Sequence, residues 1–199
     1  MTILIIIVIA FGAFLGHYLV DPTDIDTVDT LIMVILNLMI FFVGIGIGSN
    51  KKILQDLKKL GLKFLVVPLG TIIGSLLGGV ITGLVLQFDF LNSLAIASGF
   101  GYYSLSSTIL FQLEGAEIGT IAFLTNVTRE ILAILLIPFL AKYISKYSAV
   151  SVAGATSMDT TLPLIQKFTN EKIAIVSFVH GAVLSLVVPL LVNLFASLS

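Results

Sequence analysis

The chain contains no cysteine and few charged side chains. Without cysteine it can form neither a disulfide nor a thiolate metal site. Only 11% of its 199 residues are charged and its net charge is −1, so it has no basic stripe of the kind that binds nucleic acid. It also lacks an HExxH motif, a nucleophile elbow and a cluster of histidines, so nothing predicts an enzyme, a metal site or a bound cofactor.

Hydrophobic residues make up 58% of the chain, and its mean hydropathy of +1.16 is typical of a protein that lies in lipid. Five continuous apolar runs are each long enough to cross a hydrocarbon core of roughly 30 Å. They cover residues 2–20, 29–49, 62–87, 118–141 and 173–198. We therefore predict an all-α integral membrane protein, with one transmembrane domain over residues 1–199 and five transmembrane helices.

Two further apolar segments, 91–113 and 148–168, are interrupted by small polar residues. Their central sequences are GFGYYSLSS (99–107) and GATSMDTTLP (154–163). Non-helical backbone at membrane depth is tolerated only where protein or a water-filled cavity covers it. Two such interruptions predict a shared polar site inside the bilayer, which is typical of a membrane transporter. Each segment either crosses once as an unwound helix or enters and returns as a re-entrant hairpin.

The lysines favour re-entrant hairpins, because cytoplasmic loops near spans are rich in Lys and Arg. If both segments re-enter, the lysines near the spans fall on one face and the loop carboxylates on the other. We therefore expect a multi-pass protein of the cytoplasmic membrane with its N-terminus inside and its C-terminus outside. The lysines are Lys51, Lys52, Lys58, Lys59, Lys63, Lys142, Lys146, Lys167 and Lys172, and the carboxylates are Asp21, Asp24, Asp26, Asp29, Asp89, Glu114 and Glu117.

A weak internal repeat favours the same layout. A shift of 55 residues places Ser93 on Ser148, Gly99 on Gly154, Ile118 on Ile173 and Phe123 on Phe178. Each unit, 91–147 and 148–199, would hold one hairpin and one span, so the second copy would be inverted relative to the first. Two inverted hairpins would bring their tips together from opposite faces.

Three charged residues lie at predicted membrane depth: Arg129, Glu130 and Asp159. Intramembrane charges are costly and usually face a cavity or a partner. Arg129 either neutralises one of the two carboxylates or belongs to the substrate site, and Glu130 is the better candidate for an exchangeable carboxylate. Asp159 also fits the N-cap of a half-helix, with Pro163 in its first turn. An intramembrane hydrolase is the weakest alternative, since Asp159 and scattered serines supply no assembled base and nucleophile.

The two interruptions also offer uncharged groups to a substrate, because half-helix N-termini present N–H groups to a carboxylate and C-termini present carbonyls to a cation. His180 is either a proton-relay residue or a packing histidine, and Asn126 favours an interhelical hydrogen bond. Each hydroxyl alternatively satisfies only its local backbone. The further candidates at the interruptions are Gly99, Gly101, Tyr102, Ser104, Ser106, Thr156, Ser157 and Thr160.

Four ordered motifs give the chain a family resemblance over nearly its whole length: GFGYYSLSS (99–107), TREILAI (128–134), GATSMDTTLP (154–163) and HGAVLSLVVP (180–189). The chain resembles the lysine exporter LysO family of bacterial and archaeal membrane proteins. The resemblance implies export of L-lysine, and of the analogue thialysine, and it implies that the acidic residues Glu130 and Asp159 matter. Longer members carry further hydrophobic segments, so we expect the chain to act with a small partner subunit or as a homo-oligomer.

Proton antiport is the mechanism that we expect. Moving cationic lysine outward against an inside-negative potential costs about 2.3 kcal/mol per 100 mV, and one inward proton cancels that work. One alternative is an ion-coupled transporter of another small substrate, such as a sodium-coupled carboxylate carrier. Another is a non-transporting subunit of a membrane complex, in which Arg129, Glu130 and Asp159 would be purely structural.

Overall fold

The computed structural model describes residues 65–199 throughout. Of the predicted spans 2–20 and 29–49 it describes only isolated positions, and the predicted lysine patch from Lys51 to Lys63 lies outside the described residues. The isolated positions are all helical and are 7, 11, 12, 14–16, 18, 34, 38, 41 and 45.

Residues 65–199 form seven α-helices and no strand, which confirms the predicted helical class for this part of the chain. Three of the helices, α1, α4 and α7, are long and apolar enough to cross a membrane, and they match the predicted spans 62–87, 118–141 and 173–198 to within a few residues. The helices are α1 (Val66–Leu86), α2 (Phe90–Ala97), α3 (Tyr103–Glu114), α4 (Ala116–Tyr143), α5 (Lys146–Ala153), α6 (Leu162–Phe168) and α7 (Glu171–Ala196).

Side-chain caps mark the beginnings of three helices. Asp89 accepts the Asn92 N–H at 2.8 Å before α2, and Asn170 accepts the Ile173 N–H at 3.0 Å before α7. Ser145 accepts the Tyr147 N–H at 3.2 Å before α5. Such caps satisfy N–H groups that have no partner within the helix, and each stabilises a helix by about 1 kcal/mol.

Both predicted interruptions are real breaks in the helical backbone. Break 1 covers Ser98–Tyr102, between α2 and α3, and contains two residues of positive φ, Phe100 (47°) and Gly101 (90°). Break 2 covers Gly154–Thr161, between α5 and α6; it begins at a φ of 65° and contains a 3₁₀ turn over Gly154–Met158. Phe100 is fully buried in a conformation that L-residues rarely adopt, so its surroundings hold it in place.

The long helices α1 and α4 run antiparallel. Near the beginning of α1, Val67 packs against the cluster that contains Ile137, in the second half of α4. Two turns further along α1, Ser75 accepts a hydrogen bond from Arg129, which lies two turns earlier in α4. The end of α1 and the beginning of α4 therefore lie at the same end of the bundle.

The last long helix, α7, runs parallel to α1. Ile173, in its first turn, belongs to the same hydrophobic cluster as Val67. His180, two turns later, contacts Thr71 of α1. The end of α4 and the beginning of α7 therefore share the opposite end of the bundle.

The buried apolar core divides into two clusters. One joins α2, α3, α4 and α7, and the other joins α4, α5, α6 and the beginning of α7. The first cluster contains a residue of each break, Phe100 and Ala155. The second contains Ala153, the residue immediately before break 2. The first comprises Ala95, Ile96, Phe100, Leu110, Ala122, Ala155, Leu184, Val188, Val192 and Ala196, and the second Ile137, Ala149, Val150, Ala153, Ile165 and Ile173.

Candidate functional site

The two breaks touch each other directly. The Ala155 N–H of break 2 donates to the Phe100 carbonyl of break 1 at 2.9 Å. Gly154 makes this approach possible, because a Cβ at that position would overlap the same carbonyl oxygen. Gly181 of α7 also packs closely against break 2, since a Cβ there would lie 2.7 Å from the Ala155 carbonyl oxygen. Segments separated by more than 50 residues therefore meet at one place between the long helices.

Asn126 of α4 satisfies the backbone of break 1. Its Oδ1 accepts the Gly101 N–H at 2.8 Å, and its Nδ2 donates to the Ile96 carbonyl at 3.2 Å. It also donates to the Ala122 carbonyl of its own helix at 3.0 Å. The side chain is fully enclosed. This amide replaces hydrogen bonds that a continuous helix would have made, and the predicted interhelical role of Asn126 is confirmed.

His180 ties break 2 to α1 and α7. Its Nδ1 lies 2.8 Å from the Ser157 hydroxyl and its Nε2 lies 3.0 Å from the Thr71 hydroxyl. Ser157 and Ser177 also exchange hydrogen bonds, each hydroxyl donating to the other residue's carbonyl. With both ring nitrogens partnered and the ring buried, His180 has the contacts of a packing histidine.

Glu130 and Asp159 meet through one hydroxyl. Thr160 Oγ1 donates to Glu130 Oε1 at 2.5 Å and lies 3.4 Å from Asp159 Oδ1. The Thr160 N–H donates to the same Asp159 oxygen at 2.6 Å. All three side chains are half-buried. We call these three residues the carboxyl cluster; it joins α4 to the second half of break 2.

Arg129 points away from the carboxyl cluster. Its Nη1 donates to Ser75 Oγ of α1 at 2.9 Å, and no ion pair joins it to Glu130 or Asp159 within the part of the chain that the structure describes. Neighbouring residues on a helix point about 100° apart, which explains why Arg129 and Glu130 face different partners. The described contacts therefore give no ion pair in support of the alternative in which Arg129 neutralises one of these carboxylates.

Two cavities open at Arg129. The first, of about 540 Å³, lies between α1, α2 and α4, and its walls include Ser75, Gly79, Ala97 and Thr125. The second, of about 620 Å³, lies along α4 beside Leu132 and Leu136 and reaches Val152 of α5. Arg129 therefore lines both cavities.

A family comparison identifies the chain. A profile described as lysine exporter LysO matches residues 6–196. The chain belongs to the lysine exporter LysO family. It is 39% identical over 162 residues to "Lysine exporter LysO" of Escherichia coli (strain K12), and 40% identical over 168 residues to "Putative lysine exporter" of Haemophilus influenzae (strain ATCC 51907 / DSM 11121 / KW20 / Rd).

These LysO-family relatives differ in length. The Escherichia coli match covers 81% of this chain but 54% of the relative, so the chain spans about half the length of that protein. The Haemophilus influenzae match covers 82% of this chain and 83% of the relative. No solved structure matches the chain.

In this LysO-family structure, several predicted site residues form hydrogen bonds with backbone groups in or beside the two breaks. Ser106 donates to the Tyr102 carbonyl at 2.9 Å, and Thr156 donates to the Ala153 carbonyl at 2.8 Å. Gly99 fits against Asn126 and Ser106, where a Cβ would lie within 2.7 Å of both side chains. These contacts favour the local-backbone alternative for these hydroxyls.

The remaining predicted residues divide by exposure. Tyr102 is half-buried at the beginning of α3 and has no side-chain cap contact, while Ser104 is exposed.

Asp159 is not the N-cap of the following helix, as the sequence had suggested. Helix α6 begins at Leu162 with Thr161 as its N-cap, and Asp159 instead accepts the N–H of Thr160. Thr161 hydrogen-bonds the Thr156 carbonyl, which closes the turn and delays the helix by two residues.

Proposed function

We propose that this chain is a secondary active transporter that exports L-lysine, and the analogue thialysine, across the cytoplasmic membrane in exchange for protons. The observation that carries the proposal is the carboxyl cluster, in which Glu130 and Asp159 share the Thr160 hydroxyl at a break in the helical structure. Membership of the lysine exporter LysO family supports lysine as the substrate.

The cluster has the chemistry to hold an ammonium group. Carboxylate oxygens only accept hydrogen bonds when ionised, and an ammonium group offers three donors. Two carboxylates near one another at membrane depth repel strongly because the surroundings screen charge poorly. A cation bound between Glu130 and Asp159 offsets that repulsion, and so does a proton.

Exchange at this cluster accounts for export against the membrane potential. Carrying one positive charge outward costs about 2.3 kcal/mol per 100 mV, and one proton moving inward returns the same electrical work. Glu130 holds the proton in one half of the cycle and contacts the lysine ammonium in the other. Because the two ligands exclude each other, their movements are coupled.

We also propose that the breaks are the tips of two re-entrant hairpins, one from each face, within inverted units 91–147 and 148–199. The helix directions support this layout. Segment 91–113 starts after α1 and finishes before α4, and these two points lie at the same end of the bundle. Segment 148–168 likewise starts after α4 and finishes before α7, at the opposite end.

The distribution of charge supports the orientation. Asp89, Glu114 and Glu117 lie in or beside the connections at the end of the bundle where α4 begins, and Lys142, Lys146, Lys167 and Lys172 lie where α4 ends. Under the positive-inside rule the second end is cytoplasmic. The C-terminus, at the end of α7, is then outside, and we propose that the N-terminus is inside.

Lysine movement in proteoliposomes tests the proposed function. We expect full-length protein in vesicles loaded with labelled lysine to release the label several-fold faster when the outside is made acidic, and the lumen to acidify as lysine leaves. Protein-free vesicles give the background. Release that follows a sodium gradient and ignores the pH gradient would overturn proton exchange, and no release from folded protein would overturn lysine transport.

A further inference from the structure

We propose that Arg129 binds the α-carboxylate of the transported amino acid, at the mouth of the cavity between α1, α2 and α4. This inference rests on the proposed function, because it assigns the second charge of the same substrate.

The Arg129 guanidinium has N–H donors that its contact with Ser75 does not use. Its guanidinium group carries five N–H donors, and one of its nitrogens, Nη1, is engaged by Ser75. Among the residues that the structure describes, Asn92 Oδ1 is the only side-chain nitrogen or oxygen that is both sealed from solvent and without a partner. Within the described part of the chain, the Arg129 guanidinium makes its hydrogen bond through Nη1 alone, so Nε and Nη2 are not sealed from solvent.

Within residues 65–199, the charge of Arg129 also has no ion-pair partner. A charged side chain at membrane depth normally pairs with an opposite charge, yet both nearby carboxyl groups bind Thr160 instead. An incoming carboxylate supplies the missing negative charge. Guanidinium is suited to it because its flat fork donates two parallel hydrogen bonds to the two carboxylate oxygens.

The adjoining cavity has room for an amino acid. Its volume of about 540 Å³ lies within the range of roughly 300–1,000 Å³ that is usual for small-molecule sites. Gly78 of α1 lines it with open space beside the backbone, while Gly79 and Gly83 bring α1 close to α2. Ser75 lies in the same wall and holds the guanidinium group at the edge of the space.

Arg129 and the carboxyl cluster flank the same break. A Cβ placed on Gly154, where break 2 begins, would lie 3.4 Å from Arg129 Nη2. Glu130 instead contacts Thr160, where break 2 nears its end. Adjacent positions of α4 thus present a cation near the beginning of break 2 and a carboxyl group near its end. Lysine carries the complementary pair, a carboxylate and a side-chain ammonium joined by a flexible chain.

Substrate discrimination tests this assignment. Cadaverine is lysine without its carboxylate, so wild-type protein should prefer lysine over cadaverine as a competitor of labelled-lysine uptake by counterflow. Arg129→Gln should weaken lysine competition about tenfold or more, as expected for loss of a charge-assisted hydrogen-bonded pair, and should leave cadaverine competition nearly unchanged. Arg129→Lys retains the charge without the fork and should give an intermediate preference.

Two further variants provide a control and an independent test. Lys142→Gln removes a cation from the end of the same helix and should leave the preference intact. Ser75→Ala keeps the charge of Arg129 but removes the hydrogen bond that orients its guanidinium group, so this variant should reduce the preference for lysine. It tests the proposal independently if Arg129→Gln fails to fold.

The outcomes separate the two proposals. If wild-type protein transports lysine through Glu130 but accepts cadaverine equally well, or if folded Arg129→Gln keeps the wild-type preference, the role of Arg129 is overturned and lysine export stands. If wild-type protein moves no lysine, the proposed function fails, and the role of Arg129 with it.

Discussion

Glu130→Gln should abolish the exchange of lysine for protons and leave the protein folded. Gln retains the size of the side chain and can still accept the Thr160 hydrogen bond, so the contact between α4 and break 2 survives. It cannot bind or release a proton, and it carries no charge for an ammonium group. In reconstituted vesicles we expect pH-driven lysine efflux to fall to the level of protein-free vesicles, with an unchanged thermal unfolding temperature in detergent.

The matched control is Glu117→Gln, which removes a carboxylate from the exposed first turn of the same helix. It should transport lysine at the wild-type rate. Full pH-driven efflux from Glu130→Gln would show that this carboxyl group is not exchanged. If instead Glu130→Gln unfolds at a much lower temperature than Glu117→Gln, its role is structural.

Gly154→Ala should cause the largest loss of stability of any single methyl group added at the breaks. The position has a φ of 65° and a ψ of −136°, a conformation that L-residues rarely adopt and that costs them about 1–3 kcal/mol. The new Cβ would also overlap the Phe100 carbonyl oxygen, so the breaks must separate or the Ala155 hydrogen bond must be lost. We expect a total cost of at least about 3 kcal/mol, measured by unfolding in detergent, together with loss of lysine efflux.

Gly115→Ala separates backbone strain from overlap. Gly115 has a φ of 90°, yet a Cβ there would meet no atom within 4 Å. This variant should therefore cost only the strain of its conformation, about 1–3 kcal/mol, and should retain transport. Equal losses from Gly115→Ala and Gly154→Ala would show that close contact between the breaks contributes nothing.

Three of the spans and both breaks could be predicted because lipid imposes a simple pattern on sequence. A long apolar run such as 173–198 has few structures open to it, and small polar residues such as those at 154–163 interrupt the pattern visibly. The exact path through each break could not be predicted. Thr161, for example, becomes the N-cap of α6 in place of Asp159 because its hydroxyl closes a turn onto Thr156, a contact that depends on the folded backbone.

The candidate site was only partly visible in the sequence. Glu130 and Asp159 stand out because carboxylates are rare at membrane depth, but their link through Thr160 depends on how α4 lies against break 2. Ser75 was missed altogether, because a serine in an apolar helix most often bonds its own backbone. Its contact with Arg129 spans 54 positions and depends on the antiparallel arrangement of α1 and α4 in the bundle.

We propose that the two broken segments enter the membrane from opposite faces and meet at their tips. The absence of native cysteine allows a direct measurement: single cysteines at exposed Gln87, Glu117, Lys146 and Lys172, labelled with an impermeant thiol reagent in oriented membranes. Re-entrant hairpins predict that Gln87→Cys and Glu117→Cys react from one side and that Lys146→Cys and Lys172→Cys react from the other. If the two members of either pair react from opposite sides, that segment crosses the membrane and the account is contradicted.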